Sequence, residues 1–247
     1  MDLVWGYQLE FLTLNSDLYI ITGAGTGLGK ECANYFSKNS LVIGTFNKSR
    51  FKKKKNLIAH KLDLENKKSI EKFFKKFNKE IINAKKINLI CFATYKKDDL
   101  LVNVNKKDLN KTFNINVFSN FYFCSKLIPF LLNKKNSIIL ISSSLGTKGD
   151  KGISLYSSSK HALKGIMQSI VSEYSSHGIR CNILSLGFFK SPLWNDLSEK
   201  KKKQILLKSP SGKIGKIGNL FKAIKFIQNT EYYNASVLDL DGGFGII

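Results

Sequence analysis

Arginine is almost missing from this chain: of 40 basic residues only Arg50 and Arg180 are arginine, and the remainder are lysine. Acidic residues are also scarce, at 18, which leaves a formal net charge of +22. Specific readers of nucleic acid favour arginine for its planar, bidentate fork, so this excess does not indicate a dedicated nucleic-acid partner. The runs Lys52-Lys53-Lys54-Lys55 and Lys200-Lys201-Lys202-Lys203 read as solvated surface, beside a wealth of asparagine and isoleucine that points to an A/T-rich coding background. A field of this sign still steers anionic substrates. The four cysteines (Cys32, Cys91, Cys124, Cys181) form no Cys-x-x-Cys pair and no Cys/His cluster, which argues against a zinc site and for reduced thiols in a cytoplasmic setting. No apolar run approaches the ~18 residues of a membrane span. Asp2 and Glu10 stand where a signal peptide would carry a basic region.

Against these absences stand two local patterns. The apolar run Leu18-Tyr19-Ile20-Ile21 leads into Thr22-Gly23-Ala24-Gly25-Thr26-Gly27-Leu28-Gly29, and a helix is expected from Glu31 to about Ser37. A strand, a glycine turn and a helix N-terminus together bind a dinucleotide pyrophosphate, because glycines admit close backbone approach and the helix end supplies N–H donors. The spacing is T-G-x-x-x-G-x-G through Gly23, Gly27 and Gly29, not G-x-G-x-x-G. The second pattern is Tyr156-Ser-Ser-Ser-Lys160, with Ser143 thirteen positions upstream. Residues four apart share a helix face, so the Lys160 ammonium is expected beside the Tyr156 phenol, lowering its pKa from about 10 towards a range useful for proton transfer. Tyr-x-x-x-Lys alone is weak in so lysine-rich a chain; the glycine turn gives it weight.

Strand patterns at 18–22, 40–46, 56–62, 87–93, 137–142, 180–186 and 236–240 alternate with helical ones, as in βαβ units. The expected fold is α/β: a single-domain, Rossmann-type doubly wound parallel sheet over residues 1–247. In the helix entered at Tyr156, the residues Leu163, Ile166, Met167, Ile170, Val171 and Tyr174 form a buried stripe, with Met167 as core packing. The stretch Asn116 to Leu132 is apolar nearly all round, which predicts burial on two sides.

Together these residues resemble the short-chain dehydrogenase/reductase family, from about Leu18 to the end of the chain. Ile138 to Gly146 is similar to the family's fifth strand running into its catalytic serine, which falls at Ser143, although Ser142 and Ser144 flank it. Asn116 matches the active-site asparagine, and Asp63, in Leu62-Asp63-Leu64, the adenine-contacting aspartate. Asn182 to Gly187, followed by Ser191, resembles the segment that closes over nicotinamide, and Val237 to Gly243 the C-terminal strand and turn. The resemblance implies hydride transfer between a nicotinamide and a carbonyl or secondary alcohol. Tyr156 then donates the proton, Ser143 polarises the carbonyl, Lys160 lowers the phenol pKa and holds the ribose, and Asn116 anchors a water leading to Lys160. It further implies a cofactor site of Gly23, Gly25, Thr26, Gly27, Leu28, Gly29, Asn47, Lys48, Asp63, Leu64, Ala93, Gly187 and Ser191 alongside Tyr156 and Lys160, and no metal.

The chain departs from the family in three places. Asn-Asn-Ala-Gly becomes Cys91-Phe92-Ala93-Thr94, which puts local geometry in question. Pro-Gly becomes Leu186-Gly187, which is expected to loosen that turn. A threonine becomes Ser191, which keeps the hydroxyl. After the second strand Gly44-Thr45-Phe46-Asn47-Lys48-Ser49-Arg50 has no carboxylate, so Lys48 or Arg50 can meet a 2′-phosphate and NADP is favoured over NAD; Thr26 stands where NADP-preferring relatives often carry a base. Residues 1–16 read as an N-terminal extension, an extra strand or packing arm, and about 191–210 as a substrate lid. His60, His161 and His177 read as structural. The substrate implied by resemblance is a 3-oxoacyl carrier-protein or other acyl-thioester carbonyl; a sugar or nucleotide sugar, and a catalytically silent dinucleotide-binding regulator, are the alternatives. A homotetramer or homodimer is implied, with neither nucleic acid nor membrane as partner.

Overall fold

Short runs of leucine, isoleucine and valine with no polar alternation suit strands covered on both faces, and seven such runs form one parallel sheet. A computed structural model of the chain describes residues 17–52, 54–195 and 197–246; the extension expected over residues 1–16 lies outside these. The strands are β1 (Asp17–Thr22), β2 (Leu41–Phe46), β3 (Leu57–Lys61), β4 (Lys86–Cys91), β5 (Asn136–Ser143), β6 (Ile179–Leu186) and β7 (Val237–Leu240). Their order is β3-β2-β1-β4-β5-β6-β7, parallel at every step. The chain winds outward from β1 to β3, then returns to place β4 against β1. That reversal opens a crevice beyond the carboxyl ends of β1 and β4, where ligands of doubly wound sheets bind.

The helices are α1 (Gly27–Phe36), α2 (Lys67–Lys76), α3 (Asn78–Asn83), α4 (Lys106–Phe113), α5 (Ser119–Leu131), α6 (Ser144–Lys148), α7 (Ser154–Tyr174), α8 (Pro192–Asn195), α9 (Glu199–Leu207) and α10 (Ile217–Asn229). Alternate strand residues supply two cores. One holds Phe73, Phe123, Leu127, Leu163 and Met167 against Ile20, Leu89, Ile138 and Ile183. The other packs Cys32, Phe36, Leu220 and Ile224 on Ile21, Ile90, Ile139 and Leu184. All four cysteines are buried and unpaired, and no described helix is long and apolar enough to cross a membrane.

Three helices differ from expectation. α1 begins at Gly27 rather than Glu31, so the last two glycines of the turn are already helical. The Tyr156 helix begins two residues earlier, at Ser154. Between α4 and α5 one wide π-type turn spans Asn114–Phe118 and joins them into a continuous rod. That rod is not buried on two sides within the chain: Phe118 and Phe121 remain 59% and 60% exposed. Apolar periodicity marks both flanks alike, whereas among the described residues the fold supplies a partner for only one.

Candidate active site

The glycine turn is shaped by contacts that leave no room for side chains. Gly23 adopts φ +71°, and a Cβ there would lie 2.5 Å from the Ala93 nitrogen, at the end of β4. A Cβ on Gly29 would lie 2.4 Å from the Gly23 carbonyl oxygen, so helix α1 can close onto β1 only without one. Gly25 approaches the Ser49 carbonyl in the same way. Gly27 is the exception: at φ +56° nothing lies within 4 Å of its missing Cβ, which opens on the crevice. Thr26 stands at the N-cap of α1 without a side-chain capping bond, and no acid occupies the first turn. The N–H groups of that end are therefore unclaimed by side chains and carry the positive end of the helix dipole. A cavity of about 230 Å³ adjoins it, lined by Gly27, Leu28, Glu31, Lys190, Ser191, Asn195 and Ile217. Two segments distant in sequence, the glycine turn and the segment holding Ser191, thus face one space.

The remaining expected cofactor positions rim the same crevice at strand ends. Asn47, Lys48 and Arg50 are exposed beyond β2. Asp63 and Leu64 follow β3 half-buried, with the Asp63 carboxylate accepting from the Glu65 N–H at 3.0 Å. Ala93 donates its N–H to Thr22 Oγ1 at 3.4 Å. The Gly187 N–H donates to the Leu240 carbonyl at 3.1 Å, and its Cα faces the Asp241 backbone too closely for a Cβ. The Ser191 Oγ accepts from Trp194 N–H at 3.3 Å and starts α8.

Across the sheet, Ser143 is the last residue of β5 and half-buried, whereas Ser142 and Ser144 are buried. Only the middle serine of the three therefore offers its hydroxyl to a ligand. Tyr156 sits half-buried in the first turn of α7, and Lys160 follows one turn later at 3% exposure. The Lys160 ammonium donates to the Ile141 carbonyl at 2.8 Å and lies 5.7 Å from the centre of the Tyr156 ring. Gly146 makes this possible, since a Cβ there would stand 2.6 Å from the Lys160 Cβ. Burial lowers the Lys160 pKa to about 8.

The phenol departs from expectation. Its pKa is raised, first by burial and further by the Asp98 carboxylate, while a hydrogen bond with Ser143 works in the opposite direction. Removal from water outweighs the Ser143 hydrogen bond, and Lys160, itself desolvated and bound to a carbonyl, is not among the groups that lower it. Tyr156 therefore holds its proton firmly.

Asn116 lies within the π-type turn at 0% exposure, and its side-chain amide is fully committed. Its Oδ1 accepts from Tyr95 N–H at 2.7 Å and from the Thr94 hydroxyl at 3.1 Å; its Nδ2 donates to the Tyr95 carbonyl and to Ser159 Oγ, each at 2.9 Å. Ser159 in turn donates to the Tyr156 carbonyl at 2.8 Å. All four hydrogen-bonding positions of the side-chain amide are thus taken by protein groups. It braces the loop after β4 against the Tyr156 helix, and Thr94, unlike the expected glycine, contributes to that brace. Sequence reasoning missed Thr94, Tyr95, Gly146 and Ser159, whose roles arise from contacts at separations no short motif spans. His161 contacts the Gly146 carbonyl through Nδ1, and His60 packs edge-on to Phe73 and Phe77, both structural placements.

The short chain dehydrogenase family model matches residues 18–202. The chain belongs to that family. It is 33% identical over 239 residues to a 3-oxoacyl-[acyl-carrier-protein] reductase from Buchnera aphidicola subsp. Baizongia pistaciae, covering 91% of this chain and 95% of the relative. A reductase of the same description from Thermotoga maritima is 26% identical over 252 residues, covering 95% and 100% respectively. Among solved structures, 4-hydroxyisoleucine dehydrogenase complexed with NADH aligns with a TM-score of 0.81 at 21% identity, covering 92% of this chain and 98% of that one. As a short-chain dehydrogenase the chain is an oxidoreductase that works with a nicotinamide cofactor. The open cradle at Gly27 and the uncapped, acid-free N-terminus of α1 fit the diphosphate of such a cofactor.

Proposed function

We propose that this chain is an NADP-dependent ketoreductase that reduces 3-oxoacyl thioesters, as its 3-oxoacyl-[acyl-carrier-protein] reductase relatives are named for doing. The observation that carries the reading is the meeting of Ser143, Tyr156 and Lys160 at the head of α7 and the end of β5. Gly23, Gly25, Thr26, Gly27, Leu28 and Gly29 would hold the diphosphate, Asp63 and Leu64 the adenine side, and Ala93, Gly187 and Ser191 the nicotinamide side. The bound cofactor supplies the hydride. Ser143 donates a hydrogen bond to the substrate carbonyl oxygen and favours the charge that develops there. Tyr156 delivers its proton to the same oxygen as it becomes an alkoxide. Burial keeps the phenol in its protonated form, the form that can deliver a proton to the carbonyl oxygen. Lys160 would hold the ribose, and Asn116 acts as a positioning residue that fixes the Tyr156 helix against the loop after β4. The sheet running from Asp17 to Leu240 supports treating residues 1–247 as one dinucleotide-binding domain, with 191–210 as its lid. The deciding assay is oxidation of NADPH with an acetoacetyl thioester; no oxidation at any thioester concentration refutes the proposal.

Lys48 and Arg50 stand exposed at the carboxyl end of β2 with no acid between them, which supports NADP over NAD. In the double variant Lys48→Glu, Arg50→Glu, kcat/KM for NADPH should fall about ten- to hundredfold, the scale of lost charge-assisted hydrogen bonds. The value for NADH should hold or rise. Equal losses for both cofactors would assign the 2′-phosphate elsewhere.

The apolar flank at Phe118 and Phe121, continued by Leu109 at 40% exposure, supports a homodimer or homotetramer closing over α4 and α5. Phe118→Glu, Phe121→Glu should yield monomers by sedimentation velocity. An unchanged sedimentation coefficient would place the interface on another face.

A further inference from the structure

The loop after β4 carries a charged side chain that no role above uses. Tyr95 is fixed by its two backbone bonds to Asn116, at 2.7 and 2.9 Å. Three residues after Lys96, Asp99 donates its N–H to the Gly152 carbonyl at 2.7 Å and bridges to Ile153 in the approach to α7. Residues 95–99 are therefore a short strap, tied at both ends, passing beside Tyr156. From it the Lys96 ammonium comes within 5.7 Å of the Tyr156 ring centre. Lys160 reaches that ring from the buried interior, whereas the Lys96 side chain is 41% exposed. Its one ion pair among the described residues, to Asp98 at 2.9 Å, joins two exposed groups two residues apart. Such a pair adds little to stability, so the ammonium can exchange that partner for another acceptor.

Resting on the reductase reading above, we propose that Lys96 is a specificity residue that binds the second oxygen of a β-keto substrate. In such a substrate one carbon separates the ketone carbon from the carbon bearing the other oxygen. With the ketone oxygen at Ser143 and Tyr156, the second oxygen falls beside the Tyr156 ring, on the side a substrate must enter. An ammonium with three donors on a flexible stem suits that acceptor, whether it is a thioester carbonyl or a free carboxylate. Lys96 thereby selects β-keto compounds over isolated ketones.

The experiment compares wild type, Lys96→Met and Lys96→Arg, with NADPH and three substrates. These are the uncharged thioester acetoacetyl-N-acetylcysteamine, the carboxylate acetoacetate, and trifluoroacetophenone, an activated ketone with no second oxygen. Lys96→Met should raise KM about tenfold for a β-keto substrate, leave trifluoroacetophenone within twofold, and be largely rescued in Lys96→Arg. A response confined to the thioester assigns the carbonyl as partner, and one confined to acetoacetate assigns the carboxylate; either supports the inference. Equal losses on all three substrates, or no loss on any, overturn it while leaving the reductase reading intact. A wild-type protein that reduces none of the three overturns both. An unchanged melting temperature of Lys96→Met confirms that the comparison is made on folded protein.

Discussion

Replacing Tyr156 by phenylalanine should lower kcat about 10²- to 10⁴-fold, the contribution of a positioned general acid, while the dissociation constant for NADPH changes less than twofold. The substitution deletes one hydroxyl and keeps the ring that fills the half-buried position between Lys96 and Lys160. The bond that the Ser159 hydroxyl donates to the Tyr156 carbonyl persists, so the helix and the Asn116 brace should survive. The measurement pairs steady-state reduction of an acetoacetyl thioester with a fluorescence titration of NADPH. Retention of more than a tenth of the wild-type rate would show that the proton comes from another group. Loss of cofactor affinity in step with rate would make the hydroxyl a binding group instead.

Lys160→Met should abolish turnover and yet stabilise the cofactor-free protein at neutral pH. Burial lowers the Lys160 pKa from 10.5 to about 8, which corresponds to a folding penalty of ~3 kcal/mol at pH 7. Methionine avoids that penalty but leaves the Ile141 carbonyl without its donor, a loss of ~1 kcal/mol. The net gain is then about 2 kcal/mol, worth ~2–4 °C per kcal/mol in a chain of this size. The sign with pH follows from proton counts. Between pH 8 and 10.5 the unfolded wild-type chain binds more protons at Lys160 than the folded one, so wild-type stability gains on that of the variant as pH rises through this window. Denaturation curves at pH 7 and pH 10 should show the advantage of Lys160→Met shrinking. A variant less stable than wild type at pH 7, or an advantage independent of pH, would show that the ammonium is not desolvated as the structure has it.

All seven strands could be found from the sequence because a buried parallel strand is a short apolar run, and such runs are rare elsewhere in so lysine-rich a chain. The Tyr156, Lys160 and Ser143 grouping was equally accessible, since two of the three are one helical turn apart. What escaped was everything decided by contact. The start of α1 at Gly27 depends on Gly29 meeting the Gly23 carbonyl. The wide turn at Asn116 depends on four hydrogen bonds to residues 21 to 43 positions away. The direction of the Tyr156 pKa needed the burial of both partners, which charge spacing along a helix does not report. Exposure of Phe118 and Phe121 likewise reflects which flank the sheet covers, a matter of topology rather than of composition.

The amide at position 116 also limits what drift can do to this chain. Much of the surface can exchange one polar residue for lysine with little effect, as its composition indicates. At Asn116 an aspartate would lose both donors to the Tyr95 carbonyl and Ser159, a lysine both acceptors, and a serine the reach to span three segments. Glutamine is longer by a methylene at a position with no solvent exposure. One fully enclosed side chain thus makes position 116 costly to replace in an otherwise permissive sequence.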